Sequence, residues 1–156
     1  MQRYYGIGLQ RYTKGARSER ELLNRFYELG YSVIRAAGSG VNALGPDIIA
    51  MKKGICFSIE CKAWSRGSLS IEPDQFLKLM DWEKNTDGHT FVAWKVDYKG
   101  WYFIRLDEFS KGESNYNVTL KRALEINRNL ESVISMANPR NGMGTTQPQV
   151  SSSQLQ

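Results

Sequence analysis

Two cysteines, one histidine and four prolines among 156 residues leave several chemistries without material. Cys56 and Cys61 sit five residues apart in the strand-like run ICFSIECKA, about 16 Å if extended. A disulfide needs Cα atoms within about 7 Å, so these two cannot pair within the chain. With His89 the sole histidine, no Cys/His set of zinc-finger type exists. No apolar run approaches the roughly 18 residues of a membrane span, and the opening MQRYYGIGLQRY lacks the apolar stretch of a secretion signal. These absences describe a soluble, intracellular protein with no membrane partner.

What is present suffices for one core: hydrophobic residues make up 41%, including four Trp, eight Tyr and six Phe. The net charge of +5 is uneven. Residues 1–35 carry seven basic side chains against three Glu, and the rest is almost neutral. Such a field suits a polyanion, although a solvated basic surface accounts for it equally well.

Apolar spacing at Leu22, Leu23, Phe26 and Leu29 predicts a helix from about Lys14 to Leu29, ended by Gly30, with Ala16 and Glu19 on its apolar face. A strand at 31–37, a mobile loop at 38–45 and a strand at 46–52 follow. ICFSIECKA alternates, so Ile55, Phe57, Ile59 and Cys61 share one face and Cys56, Ser58, Glu60 and Lys62 the other. A polar loop near 64–68 leads to a helix over 73–85, then to a hairpin of TFVAWKV and WYFIRL joined by DYKG. One last helix is expected over about 119–136. Residues 137–156 have no aromatics and read as a disordered tail. The expected division is an extension (1–13), one α/β domain (14–136) and the tail.

Three acids and a lysine occupy places that packing alone would not choose. Glu19 lies on a helix's apolar face, Asp47 at the mouth of a buried strand, and Glu60 with Lys62 on one face of a central strand. Singly, each has an ordinary explanation: a solvated helix glutamate, a Pro-Asp turn, an exposed edge strand. Together they ask for a counter-ion, because a buried carboxylate costs several kcal/mol unless paired or metal-bound. Magnesium suits such oxygen donors, and a neighbouring lysine can orient a water or steady charge developing on phosphorus.

The segments KGARSERELL (14–23), VIRAAGSG (33–40), PDIIA (46–50) and IECK (59–62) together resemble the PD-(D/E)xK nucleases and, within them, the archaeal-type Holliday-junction resolvases. The resemblance reaches to about Arg105. It implies an α/β fold with a mixed central β-sheet flanked by helices, as in restriction endonucleases. It further implies a homodimer that cuts two opposed strands of a four-way DNA junction. Glu19, Asp47, Glu60 and Lys62 match the catalytic set, with the first three as metal ligands; Ser39 matches a loop serine important for activity. Arg20 and Arg35 match basic residues that bind DNA. Lys14, Arg17 and Arg25 either extend that surface or are solvated helix charges, and Gln75 loosely matches a polar residue opening the second helix.

The leading expectation is therefore a Mg2+-dependent endonuclease, accepting Mn2+ as substitute, that leaves 5′-phosphate and 3′-hydroxyl ends. The alternatives are a nuclease of the same fold acting on flaps or duplex, and a DNA-binding module that does not cut. Paired cuts need two sites on a two-fold axis. The second helix is the expected interface, through Phe76, Leu79, Met80 and Trp82.

Overall fold

A computed structural model describes residues 4–36 and 45–137, with side chains described from Lys14 onward. Along the chain run α1 (Tyr4–Glu28), β1 (Ser32–Arg35), β2 (Ile48–Lys52), β3 (Ile55–Ala63), β4 (Ser68–Ile71), α2 (Pro73–Thr86), β5 (His89–Val96) and β6 (Gly100–Arg105). A short 3-10 turn (Leu106–Glu108) then leads to β7 (Ser110–Lys111), β8 (Tyr116–Thr119), α3 (Leu120–Ile126) and α4 (Leu130–Ala137).

The main sheet has the order β1-β2-β3-β5-β6. Only β3 and β5 are parallel; the other neighbours are antiparallel. The sheet is thus mixed, and the segment holding β4 and α2 supplies the crossover that a parallel pair requires. The two-residue period of β3 holds. Phe57 and Ile59 enter a core with Leu22 and Phe26 of α1 and Leu130 and Val133 of α4. Ser58 and Glu60 turn to the opposite face, toward α2. On β5, Phe91 and Ala93 serve the α1 core, while Val92 and Trp94 pack with Phe76, Leu79 and Ile104 in a second one. A strand buried on both faces is central, which explains why TFVAWKV is almost uninterruptedly apolar.

Four features depart from the sequence reading. Helix α1 begins at Tyr4 rather than near Lys14, since no proline precedes Pro46 to interrupt its ladder. The final helix is two: Asn127, at φ 46°, closes α3, and Asn129 Oδ1 accepts from Ser132 N at 2.9 Å to open α4. Ala137, assigned to the tail, is a buried end of α4; the tail's remainder, 138–156, lies outside the described residues. A three-stranded sheet, β4-β8-β7, was not foreseen, because its strands have only four, four and two residues.

Helix α2 carries a fifth correction. Phe76 and Leu79, expected at a subunit interface, are 3% and 2% exposed within this chain. Phe76 stacks on Tyr116 of the small sheet at 3.8 Å between centroids. The sheet that the sequence did not reveal consumes the apolar area that seemed to need a partner. Trp82 also turns inward, its indole donating to Ser58 Oγ at 2.7 Å. Met80 remains 46% exposed.

Between α3 and α4, Arg128 meets Glu108 through two bonds of 2.8 Å and donates to Phe103 O at 2.9 Å. Their side chains are only 13% and 11% exposed, so this pair fastens the C-terminal helices to the sheet in a partly dry environment.

Candidate active site

The antiparallel register of β2 with β3 pairs Ile48 with Ile59. One residue further, Asp47, just ahead of β2, falls opposite Glu60 within β3, on the face opposite the α1 core. Pro46 is buried ahead of it, and Asp47 O accepts from Ala36 N at 2.8 Å. The approach is tight: a Cβ on Gly45 would lie 3.1 Å from the Trp82 ring. Trp82 is thus a prop between Ser58 and the entry to β2, which places Asp47.

Asp47 Oδ2 accepts from Cys61 N at 2.7 Å. Burial, then the Glu60 charge and more weakly that of Glu19, push its carboxyl up to about 7, against the opposing Cys61 N–H and Lys62. Burial also drives the Cys61 thiol well up, followed by the charges of Asp47, Glu60 and Glu19, so Cys61 is held as a thiol rather than a nucleophilic thiolate.

Glu60, 4% exposed, carries two partners on one oxygen. Lys62 Nζ donates to Oε1 at 2.7 Å, and Gln75 Nε2 to the same atom at 2.6 Å. Lys62 also donates to Gln75 Oε1 at 3.1 Å, closing a triangle. The period of two on β3 puts Glu60 and Lys62 together, and the first turn of α2, begun by Pro73, delivers Gln75 over them. Gln75, only loosely matched in sequence, is therefore part of the site.

Glu19 lies near but engaged elsewhere: Arg35 Nε and Nη2 both donate to its Oε2, at 3.1 and 2.7 Å. Among the described residues, no three acidic, histidine or cysteine side chains converge closely enough to hold an ion. The three-carboxylate set expected from sequence is present as an opposed pair, Asp47 and Glu60, with Glu19 drawn to a guanidinium. Two hard oxygen donors fit a divalent cation, which usually takes one or two carboxylates and fills its other positions with water and phosphate.

The remaining expected residues divide. Ser39 lies outside the described residues. Arg17 and Arg20 are exposed on α1. Arg25 is paired with Glu131 at 3.0 Å, and Lys14 with Asp97 at 2.6 Å, so much of the positive charge counted from sequence is matched within the fold.

The elevated Asp47 group gives a testable pH dependence. Its folded value lies above the unfolded 3.8, so its contribution to stability is full below about 4 and is lost as pH rises through about 7. Without divalent ions, wild type should lose more thermal stability than Asp47→Asn between pH 5.5 and 8. Added Mg2+ should raise the wild-type midpoint more at pH 8. Parallel curves for the two proteins would contradict the buried Asp47 carboxyl. A shift of this size sets a ceiling of about 4 kcal/mol.

A mixed α/β sheet presenting an opposed Asp–Glu pair and a lysine two residues beyond the Glu defines a PD-(D/E)xK-type nuclease core. In keeping with that class, a bacterial homing endonuclease shares the fold at TM-score 0.50 and 16% identity, over 69% of this chain and 76% of its own. The sequence profile of the archaeal Holliday junction resolvase (Hjc) family matches residues 10–138, and the chain belongs to that family. Crossover junction endodeoxyribonuclease Hjc of Sulfolobus acidocaldarius is 36% identical over 113 residues, 70% of this chain and 78% of the relative. Its counterpart from Sulfurisphaera tokodaii is 32% identical over 133 residues, 79% of this chain and 92% of the relative. The solved structure of the Archaeoglobus fulgidus Hjc, a Holliday junction resolvase, superposes with TM-score 0.64 at 26% identity, covering 72% of this chain and 88% of that one.

Sequence reasoning missed the part played by Ser58 and Trp82. The parity of β3 held the signal, because it placed Ser58 on the same face as Glu60. No helix among the described residues is long and apolar enough to cross a membrane.

Proposed function

We propose that this protein resolves four-way DNA junctions by hydrolysing phosphodiesters on two opposed strands, leaving 5′-phosphate and 3′-hydroxyl ends. The observation that carries the reading is the Asp47–Glu60 pair with Lys62 held against Glu60 by Gln75, in a chain of the Hjc family. Asp47 and Glu60 would hold a divalent cation, Mg2+ or as substitute Mn2+. When bound, such an ion supplies concentrated positive charge to phosphoryl oxygens and makes water a better nucleophile.

The chain's own groups do the rest. Lys62 offers a positioned ammonium to the charge that develops on phosphorus, and Gln75 fixes its direction. The Asp47 carboxyl, raised to about 7 by burial and by the Glu60 charge, is a group from which a bound cation would displace the proton. Arg20 and Arg35 supply phosphate contacts beside the site, and Arg17 extends them along α1. A phosphate that takes Arg35 releases Glu19, which must leave that guanidinium before it can join Asp47 and Glu60. The site is then completed in the presence of substrate.

Two symmetric cuts need two copies of the site, so the working form is a homodimer. With Phe76, Leu79 and Trp82 engaged inside the chain, Met80 is the remaining member of the expected α2 surface, and Leu77, 49% exposed, lies beside it.

Cleavage of a four-way junction, a flap and a linear duplex of matched sequence, with Mg2+ and with chelator, tests the reading. Paired cuts on the junction alone, abolished by chelator and made by a species that sediments as a dimer, are expected. Equal cutting of the flap or duplex would replace junction resolution with a broader nuclease activity.

A further inference from the structure

Beyond Lys62 the same strand end carries a feature that the proposed reaction does not use. The β3–β5 ladder ends at Ala63 and Lys95, and Trp64 N extends it by donating to Lys95 O at 3.2 Å. Trp64 O accepts from the indole of Trp94 at 2.8 Å, and Trp94 is fully buried. The backbone of Trp64 is therefore tied to the core from both sides. Its side chain is 38% exposed, with the Arg66 guanidinium 5.2 Å from the ring centroid.

The residue between them is pinned as well. Ser65 Oγ accepts from Lys14 Nζ at 3.1 Å and donates to Asp97, to which Lys14 also donates at 2.8 Å. This bridge from α1 to the turn after β5 fixes the loop that presents Trp64 and Arg66. Lys14 and residues 63–66 line a cavity of about 400 Å3, within the range of small-ligand sites. Trp64 follows Lys62 by two residues, directly beyond the end of β3.

An indole with a guanidinium over it, on a rigid backbone next to a phosphate-cutting centre, has the chemistry of a base-stacking platform. Inside a duplex both faces of each base are already stacked. At the exchange point of a four-way junction, base faces come free. We propose that Trp64 and Arg66 receive an unstacked base at that point, with Lys14, Ser65 and Asp97 as positioning residues, so that the platform contributes preference for branched over linear DNA. This rests on the reading of the protein as a junction-cutting nuclease.

The test compares wild type, Trp64→Ala, Trp64→Phe and Arg66→Ala for equilibrium binding to a four-way junction and to a linear duplex of the same sequence. 2-Aminopurine is placed at the exchange point or within an arm. Thermal melting confirms that each variant is folded, as a half-exposed side chain allows. Trp64→Ala should weaken junction binding about tenfold, within the range of one lost base stack, while leaving duplex binding nearly unchanged. Trp64→Phe should retain most of the affinity, and Arg66→Ala should fall between. Wild type should change 2-aminopurine emission at the exchange point but not in the arm, and Trp64→Ala should abolish that change. A junction preference that survives Trp64→Ala, or an equal loss on both DNAs, overturns the platform alone. A wild type with no junction preference overturns the resolvase reading and the platform with it.

Discussion

Asp47→Asn and Glu60→Gln should each bind a four-way junction almost as wild type does yet cut it at least about 1,000-fold more slowly, the upper range for losing one preorganised electrostatic element. Each substitution removes a charged oxygen from the opposed pair while keeping its shape, and neither residue is among the arginines proposed to contact phosphate. Single-turnover cleavage at saturating Mg2+ separates the chemical step from binding. Lys62→Ala should lose the chemical step too while still taking up Mg2+, because its ammonium is not a ligand. Wild-type rates from either carboxylate variant would remove the pair from the reaction. Lys62→Ala stands apart structurally, since it also takes a partner from Glu60, 2.7 Å away.

The second large effect is on stability. Arg128→Ala should cost about 3 kcal/mol, as expected when one partner of a poorly solvated ion pair is deleted and the other stays behind. Glu108 would be left with its main cation gone, and Phe103 O would lose the Arg128 donor. Burial by itself would raise the Glu108 carboxyl, but the Arg128 hydrogen bonds and the Arg105 N–H outweigh it and hold the group below its ordinary 4.5. A group lowered in the fold contributes stability above its unfolded value and loses it as pH falls through the folded one. The penalty of Arg128→Ala should accordingly be full at pH 7 and shrink well below pH 4.5. Urea denaturation at the two pH values measures both. A loss under about 1 kcal/mol at pH 7 would show the pair to be no stronger than a surface one.

Period-two alternation in ICFSIECKA and the apolar run TFVAWKV were sufficient to identify β3 and β5, the two faces of β3, and the side on which Glu60 and Lys62 stand, because local geometry dictates those directions. The helix stripe at Leu22 and Phe26 was equally legible. Asp47 was legible as a candidate because a charged residue opening an apolar strand demands a reason. The breaks at Asn127 and Asn129 were written in the INRN run, where an asparagine that tolerates positive φ precedes one that caps. Periodicity on either side concealed them.

Tertiary structure decided what each side chain faces across the sheet. Strands of two to four residues carry too little pattern to announce themselves, so the small sheet, and with it the burial of Phe76 and Leu79, emerged only from packing. Ion pairing was equally hidden: Lys14 meets Asp97, 83 residues away, and Arg25 meets Glu131, 106 residues away. The triangle of Glu60, Lys62 and Gln75 needs the α2 crossover to arrive over β3, and Trp64 becomes a fixed platform only because Trp94 reaches its carbonyl from the next strand. Residue type and spacing along one element follow from the chain's local stereochemistry. Which distant groups neutralise, prop or cover one another is settled by long-range packing, which no local spacing encodes.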